Sequence, residues 1–135
     1  MLDANTGFVA GSTSKFAKTT NGGLNWDTST AYSTSTTFYC VDFVNSSTGW
    51  MSGSSGRVVK TTDGGATWNL QTTGITSTLY RIDMVDANTG YFVGSSGNSR
   101  KTTDGGTTWT ALTTNSTATL YWIKMLNANS GYLCG

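Results

Sequence analysis

Short runs of apolar residues alternate with polar, glycine-containing turns along the whole chain. Four runs are aromatic or aliphatic and end in glycine: residues 8–11, 50–53, 91–94 and 132–135. Short apolar runs bounded by turn residues are typical of buried strands. Further strands are predicted at 15–20, 57–62 and 98–103, then starting at Trp26, Trp68 and Trp109, and finally at 38–44, 79–85 and 120–126.

Two polar blocks separate these strands at nearly constant intervals. The first block is Thr-Thr-Asp-Gly-Gly-Thr-Thr-Trp at 102–109, with copies at 61–68 and 19–26. Its glycines suit a tight hairpin turn, where the backbone needs positive φ. The second block ends in glycines that lie 42, 41 and 41 residues apart: Gly7, Gly49, Gly90 and Gly131. A period of about 40 to 50 residues is typical of propeller blades.

Each repeat therefore contains four short strands, which we name A to D, with A at 38–44, 79–85 and 120–126. An isolated sheet of this size cannot bury both faces, so the repeats must stack on one another. We predict an all-β fold, a β-propeller of four-stranded antiparallel blades, in preference to a linear solenoid. Residues 1–135 would form a single repeat domain, with strands in the order BCD, ABCD, ABCD, AB.

Three repeats are fewer than the four to eight blades of an ordinary closed propeller. We therefore expect a homo-oligomer, with a twofold dimer closing six blades as the favoured arrangement and a trimer as the second. In the dimer, residues 120–126 of one chain would complete the first blade of the other. The remaining interpretation is that the chain is an excerpt of a longer propeller.

Composition limits the classes of partner and the kinds of metal or cofactor site that we expect. A net charge of +1 gives no long-range field for nucleic acid, and no apolar segment approaches the roughly 18 residues that predict membrane insertion. Histidine is absent and Cys40 and Cys134 have no metal-ligand spacing, so we expect neither a metal nor another cofactor. We interpret both cysteines as small buried residues and leave their disulfide status open.

The block at 102–109 resembles the Asp-box, Ser/Thr-x-Asp-x-Gly-x-Thr-Trp, of sialidase-type BNR repeats. Together with the glycine-bounded aromatic strand at 90–94, it resembles the repeat of Ycf48-like propellers, and the resemblance covers essentially the whole chain. Proteins with such repeats include photosystem II assembly factors, sialidases, other glycoside hydrolases and secreted bacterial proteins. The resemblance thus implies a fold more than a function. From it we expect a bacterial protein in an extracytoplasmic or secreted location, with any export signal outside this sequence.

The resemblance also implies a structural role for the box. Asp63 and Asp104 would accept hydrogen bonds from turn amides, so they are not expected to form a pair of catalytic acids. The box tryptophans, Trp68 and Trp109, would pack between sheets. The first copy differs, because Asn21 replaces the aspartate ahead of Trp26, and its turn should be held less firmly.

Functional residues are expected where the repeats disagree. On the A strands one such position holds Cys40, Arg81 and Trp122, and another holds Asp42, Asp83 and Lys124. If the A strands are innermost, these residues lie near the central channel, and Arg81 and Trp122 would bind a carboxylate or a sugar ring. The alternative is that the aspartates pair with Arg81 or Lys124 between blades.

We expect a non-catalytic interaction scaffold that binds a protein or glycan partner. The chain lacks His and Glu and has no motif for a nucleophile with its base, so we do not expect an enzyme. One alternative is a lectin-like or glycan-active protein resembling sialidase-type propellers. Another is an assembly-only or engineered propeller fragment without a ligand.

Overall fold

The computed structural model describes residues 1–135, which form thirteen strands in four antiparallel sheets and two short 3-10 turns. The first sheet contains β1 (Gly7–Ala10), β2 (Lys15–Thr19) and β3 (Asp27–Thr30). The second contains β4 (Phe38–Phe43), β5 (Gly49–Gly53), β6 (Val58–Thr61) and β7 (Asn69–Gln71). The third contains β8 (Leu79–Met84), β9 (Gly90–Gly94), β10 (Ser99–Thr102) and β11 (Thr110–Ala111), and the fourth β12 (Trp122–Met125) and β13 (Gly131–Cys134).

Within each sheet the strands lie in chain order and neighbours are antiparallel, so every connection is a hairpin. The predicted all-β architecture of four-stranded antiparallel sheets is confirmed. The D strands, β3, β7 and β11, start one residue later than predicted, after the box tryptophan, and β12 starts at Trp122 where residue 120 was predicted. A β-bulge interrupts β4 between Phe38 and Cys40, and an equivalent bulge interrupts β8 between Leu79 and Arg81.

The hydrophobic core lies between successive sheets, because each sheet contributes alternate residues to its two neighbours. Met51 and Val59 of the second sheet pack towards the first, whereas Trp50 and Val58 pack towards the third. Ile123 of the fourth sheet packs against the third. The second and third sheets are thus covered on both faces, which explains why their B strands are buried throughout. No helix in the structure is long and apolar enough to cross a membrane.

Candidate functional site

The Asp-box closes a hydrogen-bonded turn around its own side chains. The Thr61 hydroxyl donates to Asp63 Oδ1 at 2.7 Å and accepts the Gly65 amide at 2.9 Å. The Asp63 carboxylate accepts the Thr67 amide at 2.9 Å and the Thr67 hydroxyl at 2.6 Å. Gly64 and Gly65 have φ of 72° and 94°, which glycine adopts without strain. The box at 102–109 repeats these contacts.

These contacts decide what the box aspartates can do chemically. Hydrogen bonds from the Thr67 hydroxyl, then from the Thr67 amide, lower the pKa of Asp63 to about 2, and Thr108 lowers the pKa of Asp104 in the same way to about 2. Both carboxyls are therefore ionised at neutral pH and have no proton to donate as general acids.

The first copy of the box forms the same turn with one contact fewer. The Asn21 side-chain oxygen accepts the Asn25 amide at 3.0 Å and the Thr19 hydroxyl at 2.9 Å. Asn25 makes no bond equivalent to those of the threonine hydroxyls at this position in the other copies. This first turn therefore has weaker side-chain support.

The box tryptophans differ in burial because their neighbouring sheets differ. Trp109 is 8% exposed and its ring lies 4.6 Å from that of Phe92, in the core shared with the second sheet. The Trp68 ring contacts Phe16 of the first sheet edge-on at 5.1 Å. Trp26, in the box of the first sheet, is 39% exposed.

The two cysteines occupy different environments. Cys40 is buried between the second and third sheets, where its thiol donates to the Ile82 carbonyl at 3.4 Å and burial raises its pKa. Cys134 is exposed on β13, so interpreting both cysteines as buried was wrong for this residue. All four residues of β13 are exposed in this two-stranded sheet. Both cysteines are free thiols.

The A-strand aspartates join neighbouring sheets. Asp42 accepts the Met84 backbone amide at 2.7 Å, and Asp83 accepts that of Met125 at 2.7 Å. Asp83 also forms an ion pair with Lys124 at 2.8 Å. Burial raises the pKa of Asp42, and Asp83 is almost fully buried. The structure therefore places Asp83 and Lys124 in the pairing between blades that was the alternative interpretation.

Arg81 and Trp122 remain together and partly accessible. The Arg81 guanidinium lies 5.8 Å from the Trp122 ring centroid, within the range of a cation–π contact. The Arg81 Nε is buried and has no hydrogen-bond partner. Trp122 is partly exposed, because it lies on the outer face of the fourth sheet. The pair thus combines a partly exposed aromatic surface with a half-buried positive charge.

A row of stacked tyrosines, which we call the tyrosine ladder, runs across the A strands. The Tyr80 ring lies 5.4 Å from the Tyr39 ring and 5.0 Å from the Tyr121 ring, and Tyr39 and Tyr121 are more than half exposed. Phe38 packs towards the first sheet and Cys40 towards the third, so Tyr39 between them, at the bulge, faces neither sheet.

These three tyrosines occupy equivalent positions of successive repeats in the sequence, a pattern that by itself indicates a structural role. Positions shared by all repeats are normally explained by packing, and a period-two strand pattern would put the middle residue inside a sheet interface. The bulge moves the side chain out of that pattern. An aromatic residue that recurs in every repeat at a β-bulge is the sequence signal that could have revealed this surface.

Stacked four-stranded blades with inner-strand contacts define the chain as a segment of a β-propeller. The model of the family described as "Photosynthesis system II assembly factor YCF48" matches residues 1–73, which is more than half of the chain. The chain belongs to this family. No curated protein matches it.

Two solved structures share the fold. One, described as "YCF48 bound to D1 peptide", has a TM-score of 0.79 and a sequence identity of 23%. The match covers 91% of this chain and 42% of the solved chain. The other, YCF48 from Cyanidioschyzon merolae, has a TM-score of 0.73 and a sequence identity of 18%. That match covers 90% of this chain and 41% of the solved chain. The chain thus spans about two fifths of each solved protein.

The family corrects the expected location and bears on the expected activity. The expectation of an extracytoplasmic or secreted protein is wrong, because the family is that of an assembly factor of photosystem II, which operates with the photosynthetic machinery. Assembly factor is a non-enzymatic description, in agreement with the expected scaffold.

Proposed function

We propose that the chain is a non-catalytic protein-binding scaffold that holds an extended peptide of a photosystem II subunit along the tyrosine ladder. The observation that carries the proposal is the exposed stack of Tyr39, Tyr80 and Tyr121 on the A strands. The Asp-boxes contribute to the fold, since their polar groups are used within their own turns.

The ladder has the properties of a protein-binding surface. Tyrosine provides a large, rigid contact area at a low cost in conformational entropy, and its hydroxyl bonds to peptide groups. The three rings form a row and not a closed pocket, which suits an extended chain better than a compact ligand. Arg81, at the position after Tyr80, is half-buried, and its positive charge would favour a carboxylate of the peptide.

The comparison with a solved relative supports a protein partner. That relative is described as bound to a D1 peptide. Trp122 and Lys124 would extend the surface beyond the ladder, because both are partly exposed on the fourth sheet, whereas Cys40 and Asp83 would support it from within the sheet interfaces.

Binding of a fluorescently labelled D1 peptide, followed by anisotropy, tests the proposal. We expect Tyr39→Ala to weaken binding by about tenfold, the effect of losing an aromatic contact worth about 1.4 kcal/mol. Tyr132→Ala is the matched control, because Tyr132 is an exposed tyrosine on β13 outside the ladder, and it should leave the affinity unchanged.

Two results would contradict the proposal. One is peptide affinity that is the same in Tyr39→Ala as in the unsubstituted chain. The other is an absence of peptide binding while a glycan array gives a positive signal, which would favour the lectin-like alternative.

A further inference from the structure

The first box, at residues 19–26, differs chemically from the other two. It contains the pair Asn21-Gly22, where the other boxes contain Asp63-Gly64 and Asp104-Gly105. This is the only asparagine–glycine pair in the chain. Asparagine is a chemically labile residue, most of all before glycine, which has no side chain to shield its nitrogen or restrict its backbone. The first box therefore carries a reactive group that the other two lack.

The side-chain carbonyl of Asn21 is held by two hydrogen-bond donors. Its Oδ1 accepts the Thr19 hydroxyl at 2.9 Å and the Asn25 backbone amide at 3.0 Å. Attack by a nucleophile on the side-chain carbon Cγ would place negative charge on this oxygen, and donors already aimed at that charge stabilise it. Asn21 and Gly22 are both exposed, so water reaches the pair and a small leaving group can escape.

The nitrogen in position to attack is that of Gly22, and the fold holds it in a hydrogen bond. Its N–H donates to the Asn5 carbonyl at 2.8 Å. Asn5 lies in the turn before β1, where Asp3 Oδ1 accepts the amides of Asn5 and Thr6 at 2.8 Å and 2.7 Å. The nitrogen can attack only after this contact opens, so the turn controls how often the reaction begins.

We propose that Asn21 is a modification site at which the chain converts asparagine to an aspartyl residue without an enzyme, at a rate set by the contact between Gly22 and Asn5. The Gly22 nitrogen loses its proton to the solvent and forms a bond to Cγ of Asn21. The bond between Cγ and Nδ2 then breaks, and Nδ2 takes up a proton and leaves as ammonia. The product is a cyclic imide that joins the two residues.

Water then opens the imide ring at one of its two carbonyl carbons. Breaking the bond between the Gly22 nitrogen and Cγ restores the original backbone and leaves aspartate at position 21. Breaking the bond between that nitrogen and the main-chain carbonyl carbon leaves isoaspartate, in which the backbone runs through the former side chain. In both cases a water molecule is consumed, ammonia is released and residue 21 becomes an acid, with no oxidant or reductant involved.

The other two boxes are protected from the same reaction by their charge. Their first glycines also donate to the carbonyl of a neighbouring turn at 2.8 Å, so the backbone contact does not distinguish them from the first box. The hydrogen bonds that lower the pKa of Asp63 and Asp104 to about 2 keep both carboxyls ionised at neutral pH. An ionised carboxylate resists attack by a nucleophile, whereas the Asn21 side chain is uncharged.

Conversion to aspartate would make the first box more like the other two. In the second box, Asp63 Oδ1 accepts the Thr67 amide at 2.9 Å and Oδ2 accepts the Thr67 hydroxyl at 2.6 Å. Asparagine has an amide nitrogen in place of the second oxygen. An aspartate at position 21 would present that second acceptor to the side-chain amide of Asn25, which is a donor. The modification thus adds a negative charge and an acceptor to the box with the weakest side-chain support.

Peptide mapping by mass spectrometry, after incubation of the folded chain in mildly alkaline buffer, tests the proposal. We expect the mass change from amide to acid at Asn21 before it is seen at other exposed asparagines, such as Asn45 and Asn88. Asp3→Ala should raise the rate at Asn21 about fivefold, the effect of losing an ordinary hydrogen bond on the opening equilibrium of the turn. Asp3 is exposed, so this variant should fold, and circular dichroism checks that it does.

Asp86→Ala is the matched control. Asp86 forms the same turn before β9, where its Oδ1 accepts the Asn88 and Thr89 amides at 2.7 Å each, so its loss should leave the rate at Asn21 unchanged. Asp3→Asn retains an acceptor oxygen in the turn before β1 and should retain the slow rate.

Two results would overturn the proposal. One is a side-chain amide that persists at Asn21 while other exposed asparagines are converted. The other is a rate at Asn21 that is the same in Asp3→Ala as in Asp86→Ala, because the contact between Gly22 and Asn5 would then not control the reaction.

Discussion

Asp83 provides the sharpest test of how neighbouring blades are joined. Its carboxylate accepts the Met125 amide at 2.7 Å and the Lys124 ammonium at 2.8 Å, and it is almost completely buried. Asp83→Ala removes both contacts and leaves the Met125 amide without its acceptor. The third and fourth sheets would then be held chiefly by their apolar core, to which Leu120 and Ile123 belong.

The magnitude follows from the two contacts. A hydrogen bond from a backbone amide to a buried charged acceptor contributes about 1.5–3 kcal/mol. The Lys124 side chain is 50% exposed, so the ion pair adds about 1 kcal/mol or less. Asp83→Ala should thus lower the free energy of unfolding by roughly 2–4 kcal/mol, a large share of the about 5–15 kcal/mol of an ordinary domain.

Urea denaturation followed by tryptophan fluorescence measures this loss. Asp27→Ala is the control, because Asp27 is exposed on β3, and its substitution should change the free energy of unfolding by about 0.5 kcal/mol or less. If Asp83→Ala is as stable as Asp27→Ala, the aspartate does not join the blades and the reasoning is refuted.

Three further predictions follow from individual contacts. Asp104→Asn should lower the Tm at pH 7 but by much less at pH 2. A carboxyl whose pKa is lowered on folding stabilises the fold above its unfolded pKa near 3.8, and this stabilisation is lost as the pH falls towards the folded pKa of about 2. Measurement of Tm against pH checks this, and an equal loss of Tm at both pH values would contradict it. Cys134 should react with a thiol reagent in the native protein, whereas Cys40 should react only after unfolding. Titration of the thiols with and without denaturant checks this, and equal reactivity of the two cysteines in the native protein would refute the burial of Cys40. Lys60→Met should cost about 1 kcal/mol in urea denaturation by removing the bond to the next box, whereas Lys15→Met on an exposed position should cost less; no difference between them would argue against the contact.

The fold could be predicted from the sequence because its determinants are local and repeated. The glycines of the boxes and the spacing of Gly7, Gly49, Gly90 and Gly131 identify turns and period without any tertiary information. Strand ends were less predictable. Leu120 packs in the core although it lies before the start of β12, so its hydrophobicity did not mark the strand boundary.

The site was harder to predict, because side-chain direction depends on register. The bulge between Phe38 and Cys40 turns Tyr39 away from both sheet interfaces and leaves Cys40 and Asp42 facing the next blade. Cys40 and Asp42 therefore lie between blades, whereas Trp122 at the position equivalent to Cys40 is partly exposed. The pairing of Asp83 with Lys124 was foreseen as an alternative because the two residues carry opposite charges at equivalent positions of successive repeats.

Mapping of backbone amide chemical shifts on adding a D1 peptide tests most directly whether the tyrosine ladder is the binding surface. The account predicts that the largest shifts cluster at residues 38–40, 79–81 and 120–122, around Tyr39, Tyr80 and Tyr121. Shifts concentrated in the boxes at 61–68 and 102–109, with the ladder unperturbed, would contradict it.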